Sequence, residues 1–224
     1  ASYDGYGTNV SSLATNSQPY ASAIPGGRYA STPVLTPIRS LDQVYAQARI
    51  MHVVMKEKVK TWALASRAMI RSSSGGFMRY VDAAGDADLE RQLRWGQVKS
   101  TSRAIQKQLR NYRGDPSRLV DVCRQALVFE SIAELHTCVE TIMADSEVRL
   151  VRVKNRLDHE FDASASLGYR DVALNLQIHN QFTTSLCVNH HVCELQLVPY
   201  VFAKVKSTEG HHRYVKFRDQ RAEQ

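Results

Sequence analysis

The 224-residue sequence predicts an α+β fold: a mixed β-sheet flanked by helices, with N-terminal helices and a low-complexity N-terminal tail. Three observations carry that prediction. Apolar residues recur at helical spacing from Leu41 onward. Beyond residue 118 the apolar period shortens to that of strands. After the first strand stands a capping box, Ser131-Ile132-Ala133-Glu134, which opens a helix.

Residues 1–40 are rich in Ser, Thr, Ala, Tyr, Gly and Pro, and their only charged members are Asp4, Arg28 and Arg39. They lack the apolar core of a signal peptide and read as a flexible tail. Ser40 is placed to cap a helix. Leu41, Val44, Ala48, Met51, Met55 and Trp62 then share one face, to about Met69. The run RSSSGG at 71–76 breaks it. A second helical zone starts near Asp86 and passes Leu89 and Leu93. It is interrupted at Trp95-Gly96, and resumes through Arg103, Lys107 and Arg110 to about Tyr112. NYRGDPS at 111–117 is a turn by composition.

RLVDVCRQALVFE then reads as a buried strand that contains Asp121. The capped helix puts Ile132, Leu135, Val139 and Ile142 on one side. Strands follow at 149–154, from about Tyr169 to Ile178, and from about His191 to Val198, with a loop at 158–167. Pro199 suits the first turn of a last helix. Residues 41–224 therefore form one domain, with a helical part at 41–112 and a sheet-containing part at 118–218.

The chain carries 29 Lys+Arg against 22 Asp+Glu, a net charge of +7. That balance favours anionic partners such as nucleotides, RNA, acidic proteins or acidic lipid; a solvated surface is the plainer reading. No apolar run reaches the roughly 18 residues of a membrane span, so no membrane partner is expected. The missing initial Met reads as processing or a fragment. Cys123, Cys138, Cys187 and Cys193 are too sparse for a secreted disulfide framework. An intracellular, reducing compartment is expected: the cytoplasm, or an organelle if the tail is a processed transit segment.

In the strand at 169–178, Val172, Leu174, Leu176 and Ile178 alternate with Tyr169, Asp171, Ala173, Asn175 and Gln177. Glu194 and Gln196 share a face of the last strand. If the polar faces coincide, Asn175, Gln177, Glu194 and Gln196 form one surface, open to ligand or merely solvated. Asp121 in an apolar strand needs a cation. Arg124 is one candidate; Mg²⁺, with Glu194 as second oxygen ligand, is the other. Lys99, Lys107, Arg152, Lys154, Arg156 and Arg170 suit phosphate oxygens. Tyr169 follows Gly168, and its ring could stack on a base. His179, Cys187, His190, His191 and Cys193 lie close in sequence, but their spacing fits no standard zinc finger. His211-His212 suit a surface or an anion better than a metal.

Over residues 97–218 these motifs resemble the synthetase domain of RelA/SpoT-type enzymes, the (p)ppGpp synthetases. Gly168-Tyr169-Arg170 is similar to the family's G-loop, and Glu194-Leu195-Gln196 to its Glu-x-Gln strand. Asp121 resembles the metal-binding aspartate of its first strand, and Lys99 and Lys107 its preceding basic helix. Gly210-His211-His212-Arg213-Tyr214 resembles the end of the domain. The resemblance implies a nucleotidyltransferase-like fold that moves pyrophosphate from ATP to the ribose 3′-hydroxyl of GDP or GTP. Asp121 and Glu194 would hold Mg²⁺, with Glu194 activating the acceptor hydroxyl. Tyr169 would stack on guanine. Lys99, Lys107, Arg124, Arg152, Lys154, Arg170, Asn175, Gln196 and His212 would complete the nucleotide and phosphate contacts.

The sequence also departs from that family. Gln97 and Ala126 stand where arginines usually embrace the adenine, with Arg124 as a candidate replacement for the second. Ala173 replaces a common His, and Asn155 a common acid. Two other readings follow: a degenerate nucleotide- or RNA-binding or interaction module, and a toxin-like relative that modifies an RNA 3′ end. ATP and a guanine nucleotide are the expected partners; RNA and a second copy of the chain stay open.

Overall fold

The structure is a computed structural model that describes residues 17–20, 34–166 and 168–205. Its elements are β1 (Ser17–Tyr20), β2 (Val34–Pro37), α1 (Leu41–Ser66), β3 (Met69–Arg71), β4 (Phe77–Arg79), α2 (Tyr80–Ala83), α3 (Ala87–Gln92), α4 (Thr101–Tyr112), β5 (Arg124–Phe129), α5 (Ile132–Ala144), β6 (Val148–Asn155), β7 (Val172–Ile178), α6 (Gln181–Ser185), β8 (Cys193–Pro199) and α7 (Tyr200–Val205). The expected α+β architecture is present: a six-stranded mixed sheet of order β4-β3-β5-β8-β7-β6 with helices against it. β5 and β8 are parallel, and the other pairs are antiparallel. Within the tail, β1 and β2 pair as an antiparallel ribbon; its remaining residues up to 33 lie outside the described residues.

Local chemistry places the helices. Ser40 caps α1, and Gln43 reaches back to its backbone N–H. Ser131 and Glu134 do the same for α5. Val44, Ala48, Met51, Met55, Val59 and Trp62 of α1 are fully buried against Leu127, Phe129, Leu174, Leu176, Leu195 and Leu197 of the sheet. The Trp62 indole donates to Asp145 at the end of α5, and Lys58 pairs with the same carboxylate. In α5 the buried stripe is Leu135, Cys138 and Ile142. Ile132, expected on that stripe, is 60% exposed because it lies in the first turn, before the helix meets the sheet.

The segment expected to be purely helical holds a hairpin. RSSSGG does end the helical pattern, but it is the turn between β3 and β4, closed by Ser72 N–H to the Gly76 carbonyl at 2.8 Å with Gly75 at φ +97°. Met69 pairs with Val128, which adds the hairpin to the sheet edge. Strands of three residues are too short to show a period. The strand at 118–130 is also shorter than expected: pairing begins at Arg124, and 119–123 form an irregular lead-in. The third strand starts at Val172, so Tyr169 and Asp171 precede it.

Gly96 fixes the path from the helical part to the sheet. Its N–H donates to Gln125 Oε1 at 2.8 Å, and Gln125 Nε2 donates back to its carbonyl at 3.3 Å. A Cβ at this position would lie 2.6 Å from the backbone carbonyl oxygen of Arg124. Backbone cannot give way as a side chain can. Gly96→Ala is therefore expected to destabilise the fold by about 1–3 kcal/mol in urea unfolding. An unchanged midpoint would mean that this close approach carries no constraint.

Candidate active site

Paired residues on neighbouring strands share a face, so the register defines the site. Arg124, Glu194, Asn175 and Arg152 stand in one row across β5, β8, β7 and β6. Ala126, Gln196, Ala173 and Lys154 form the next row on the same face. Beyond it, Val128 and Val198 join Met69 and Ala203 in a small apolar cluster roofed by Tyr169, Tyr200 and Phe202. The helices α1 and α5 cover the opposite face.

The polar face of β7 is not the open surface that alternation suggests. Ala173, Asn175 and Gln177 are all buried. The lead-in to β5 and the loop before β8 cover them: Asn175 donates to the Val120 carbonyl at 3.3 Å, and Gln177 to the His190 carbonyl at 2.8 Å. Glu194 and Gln196 remain partly accessible, and Gln196 Nε2 donates to Glu194 Oε1 at 2.8 Å.

Asp121 lies in the lead-in rather than in a strand, which corrects its expected position. Its countercharges are Lys99 and Lys107, not Arg124. Both ammonium groups meet the same oxygen, Oδ2, at 2.5 and 2.9 Å. Lys99 is delivered by its own N–H, which donates to the Val122 carbonyl at 2.9 Å. Lys107 projects from α4 three residues after Ala104, the buried residue of that helix. The other carboxylate oxygen, Oδ1, is buried and has no hydrogen-bond partner among the described residues.

Burial alone would raise the Asp121 pKa, but Lys107 and Lys99 outweigh it and hold the carboxyl below its ordinary value. The two lysines respond in opposite directions. Burial dominates for Lys99, whose side chain is 9% exposed, and lowers its pKa despite Asp121. Lys107 is 29% exposed, and its ion pair with Asp121 overcomes burial and raises it. Burial, then the charge of Asp121, pushes the Glu194 carboxyl up. Burial lowers Lys154, as do Arg156 and Arg152 beside it.

Other expected site residues are engaged elsewhere. The Arg170 guanidinium donates to the carbonyls of Arg156, Asp158 and Phe161, so it staples the loop before β7. The Tyr169 hydroxyl donates to Asp171 at 3.1 Å, and its ring meets Phe202 edge-on at 6.3 Å. Burial and the Asp171 charge raise the Tyr169 pKa, so it stays a phenol. Asp171 is 1% exposed and is ion-paired with Arg156. Neither Asp171 nor its pairing was singled out by sequence; a charged residue just before an apolar strand was the available signal. His212 and the 210–214 motif lie outside the described residues. His179 packs edge-on against His190, while His191 is wholly buried on Gln47 with its pKa pushed down to about 4. Among the described residues, no three His, Cys, Asp or Glu side chains gather as a metal site. Asp121 and Glu194 are two carboxylates near enough for the charge of one to raise the pKa of the other.

Two open grooves of about 520 and 290 Å³ flank Phe182 and share no residue with this face. No helix among the described residues is long and apolar enough to cross a membrane.

Neither a scan of protein families nor a search of curated proteins finds a match to the sequence. Solved structures do match. Small alarmone synthetase 2 from Bacillus subtilis superposes with a TM-score of 0.51 at 14% identity, over 80% of this chain and 81% of that one. The two share a fold. Small alarmone synthetase 1 from the same organism matches at 13% identity and TM-score 0.47, over 81% of this chain and 94% of that one. Its complex with the product pppGpp matches at 18% and 0.44, over 56% and 67%.

The pKa directions give a stability test. The folded Glu194 carboxyl lies above the ordinary 4.5, so folding is favoured while it is protonated. That contribution is lost as pH rises through 4.5 toward the folded value. Asp121 runs the other way: its contribution is present at neutral pH and lost as pH falls through its depressed folded value. Glu194→Gln should therefore melt higher than wild type at pH 7, with the gap closing near pH 4. A wild-type advantage at pH 7 would mean that a partner holds Glu194 charged.

Proposed function

We propose that this chain is a nucleotide pyrophosphokinase that transfers pyrophosphate from ATP to the ribose 3′-hydroxyl of a guanine nucleotide. One observation carries the reading. Among the described residues a buried carboxylate oxygen, Asp121 Oδ1, has no hydrogen-bond partner and belongs to a group whose pKa is held down, beside a second carboxylate whose pKa is held up. A buried carboxylate oxygen left without a partner is costly, and a bound cation or a ligand donor would relieve it. The same two carboxylates then serve different roles because their environments push their pKa values apart.

Asp121 and Glu194 would hold Mg²⁺, which fits one or two carboxylates plus phosphate oxygens. When bound, the ion neutralises charge on the transferred phosphates. The remaining work falls to the protein. The acceptor 3′-oxygen attacks the β-phosphorus of ATP, the bond to the α-phosphate oxygen breaks, and AMP leaves. The hydroxyl proton passes to Glu194, whose raised pKa suits a general base, with Gln196 holding one of its oxygens. Lys99 and Lys107 from the Asp121 side, and Arg124, Arg152 and Lys154 from the sheet, offer positive charge to the phosphates. The fold shared with small alarmone synthetase 2 supports this reading.

A second reading, nucleotide binding without transfer, has its own observation. Ala126 is exposed on the polar face and Gln97 is exposed on the segment before α4, so neither position supplies a cation for the adenine. Purified protein incubated with Mg²⁺, labelled ATP and a panel of GDP, GTP, AMP and tRNA decides between them. Label is expected on a guanine nucleotide, and Glu194→Gln should lower transfer by about 10²–10⁴-fold while the protein stays folded. Undiminished transfer in that variant would remove the mechanism; binding with no transfer would establish the second reading. Tyr169→Ala should weaken acceptor binding by about 1–3 kcal/mol and ATP binding by less. Equal loss for both nucleotides would exclude a stacking role for Tyr169.

A further inference from the structure

The helix α1 belongs to the layer on the far face of the sheet, yet one of its side chains reaches the candidate site. The hydroxyl of Tyr45 donates a 2.7 Å hydrogen bond to the backbone carbonyl of Lys99, fifty-four positions away in sequence. The N–H of the same residue donates to the Val122 carbonyl at 2.9 Å. Both backbone polar groups of Lys99 are thus fixed, one from α1 and the other from the lead-in to β5. Lys99 stands one residue before Ser100, which flanks α4 without a side-chain cap bond, so the helix itself does not hold it.

A lysine ammonium rides on four rotatable bonds, and its placement depends on where the backbone starts. Here the start is clamped, and the ammonium arrives on Asp121 in a buried setting. The ring of Tyr45 packs against the core, so only its hydroxyl is committed to this task. Burial raises the Tyr45 pKa against the opposing effect of a hydrogen bond with the Thr101 side chain at the start of α4, so the hydroxyl is a donor at neutral pH.

We infer that Tyr45 is a positioning residue: by holding the Lys99 carbonyl it fixes the Lys99 ammonium on Asp121, and so sets one of the charges that would meet substrate phosphates. The nucleotide part of this inference rests on the function proposed above; the contact itself does not. Tyr45→Phe removes the hydroxyl and keeps the ring.

Two readouts separate the contact from the function. In protein labelled with ¹⁵N-lysine, the Lys99 ammonium is expected as a protected signal, assigned by its loss in Lys99→Met. Tyr45→Phe should broaden or displace that signal and leave other lysines unchanged, in a protein that melts as a single cooperative unit. A signal untouched in Tyr45→Phe, or no protected signal in wild type, overturns the inference. In the second readout, affinity for Mg·ATP should fall about three- to tenfold in Tyr45→Phe. It should fall no further when Tyr45→Phe is added to Lys99→Met, because the two act on one charge. Additive losses overturn the inference, since a general packing role would give them. If wild type binds no Mg·ATP while the ammonium signal responds as expected, the proposed function fails and the positioning contact stands.

Discussion

The parallel pairing of β5 with β8 at the centre of the sheet governs the rest of the molecule. It sets Arg124 beside Glu194 and Ala126 beside Gln196, and its ladder extends one step further, with the Glu194 N–H bonded to the Cys123 carbonyl. The lead-in that carries Asp121 therefore enters the sheet next to the strand that carries Glu194. Two carboxylates seventy-three positions apart become electrostatic neighbours without any direct bond between them. Antiparallel β7 and β6 then extend the same rows with Asn175, Arg152 and Lys154.

That juxtaposition is held by an unequal distribution of charge. Asp121 receives two ammonium groups on one oxygen and none on the other. Glu194 receives an amide donor from Gln196 and the repulsion of Asp121. A site built only for stability would pair each carboxylate evenly, or replace both by apolar groups. The uneven arrangement is the kind that functional sites retain at the expense of the fold.

Much of the architecture was legible in sequence because it is written in short-range patterns. Ser40 as a cap and the capping box of Ser131 with Glu134 are local signals, and both act as read; the reach of Gln43 back to Ser40 was not singled out. The alternation in β7 and β8 correctly separated Leu174, Leu176 and Leu195 from Asn175, Glu194 and Gln196. What escaped was long-range or too brief. The hairpin β3–β4 has strands of three residues and no measurable period. The pairing of Lys99 and Lys107 with Asp121 spans 22 and 14 positions and leaves no local trace. Arg170 looked like a phosphate clamp because its charge is visible in sequence, whereas the three carbonyls that occupy it are not. The covering of the β7 polar face depends on two irregular segments whose course no periodicity encodes.

Among the described residues β6 is one of the two edge strands of the sheet, and an edge strand offers unpaired backbone groups to other chains. Its sequence carries Arg149, Arg152 and Lys154, and its register is broken between Leu150 and Arg152. Like charges brought edge to edge repel, and a bulge spoils the flat template that another strand would need. Basic residues of β6 thus work against edge-to-edge pairing through this strand as well as facing the candidate site. Neutralising them would alter colloidal behaviour along with ligand affinity, and solubility is the property that would register the change first.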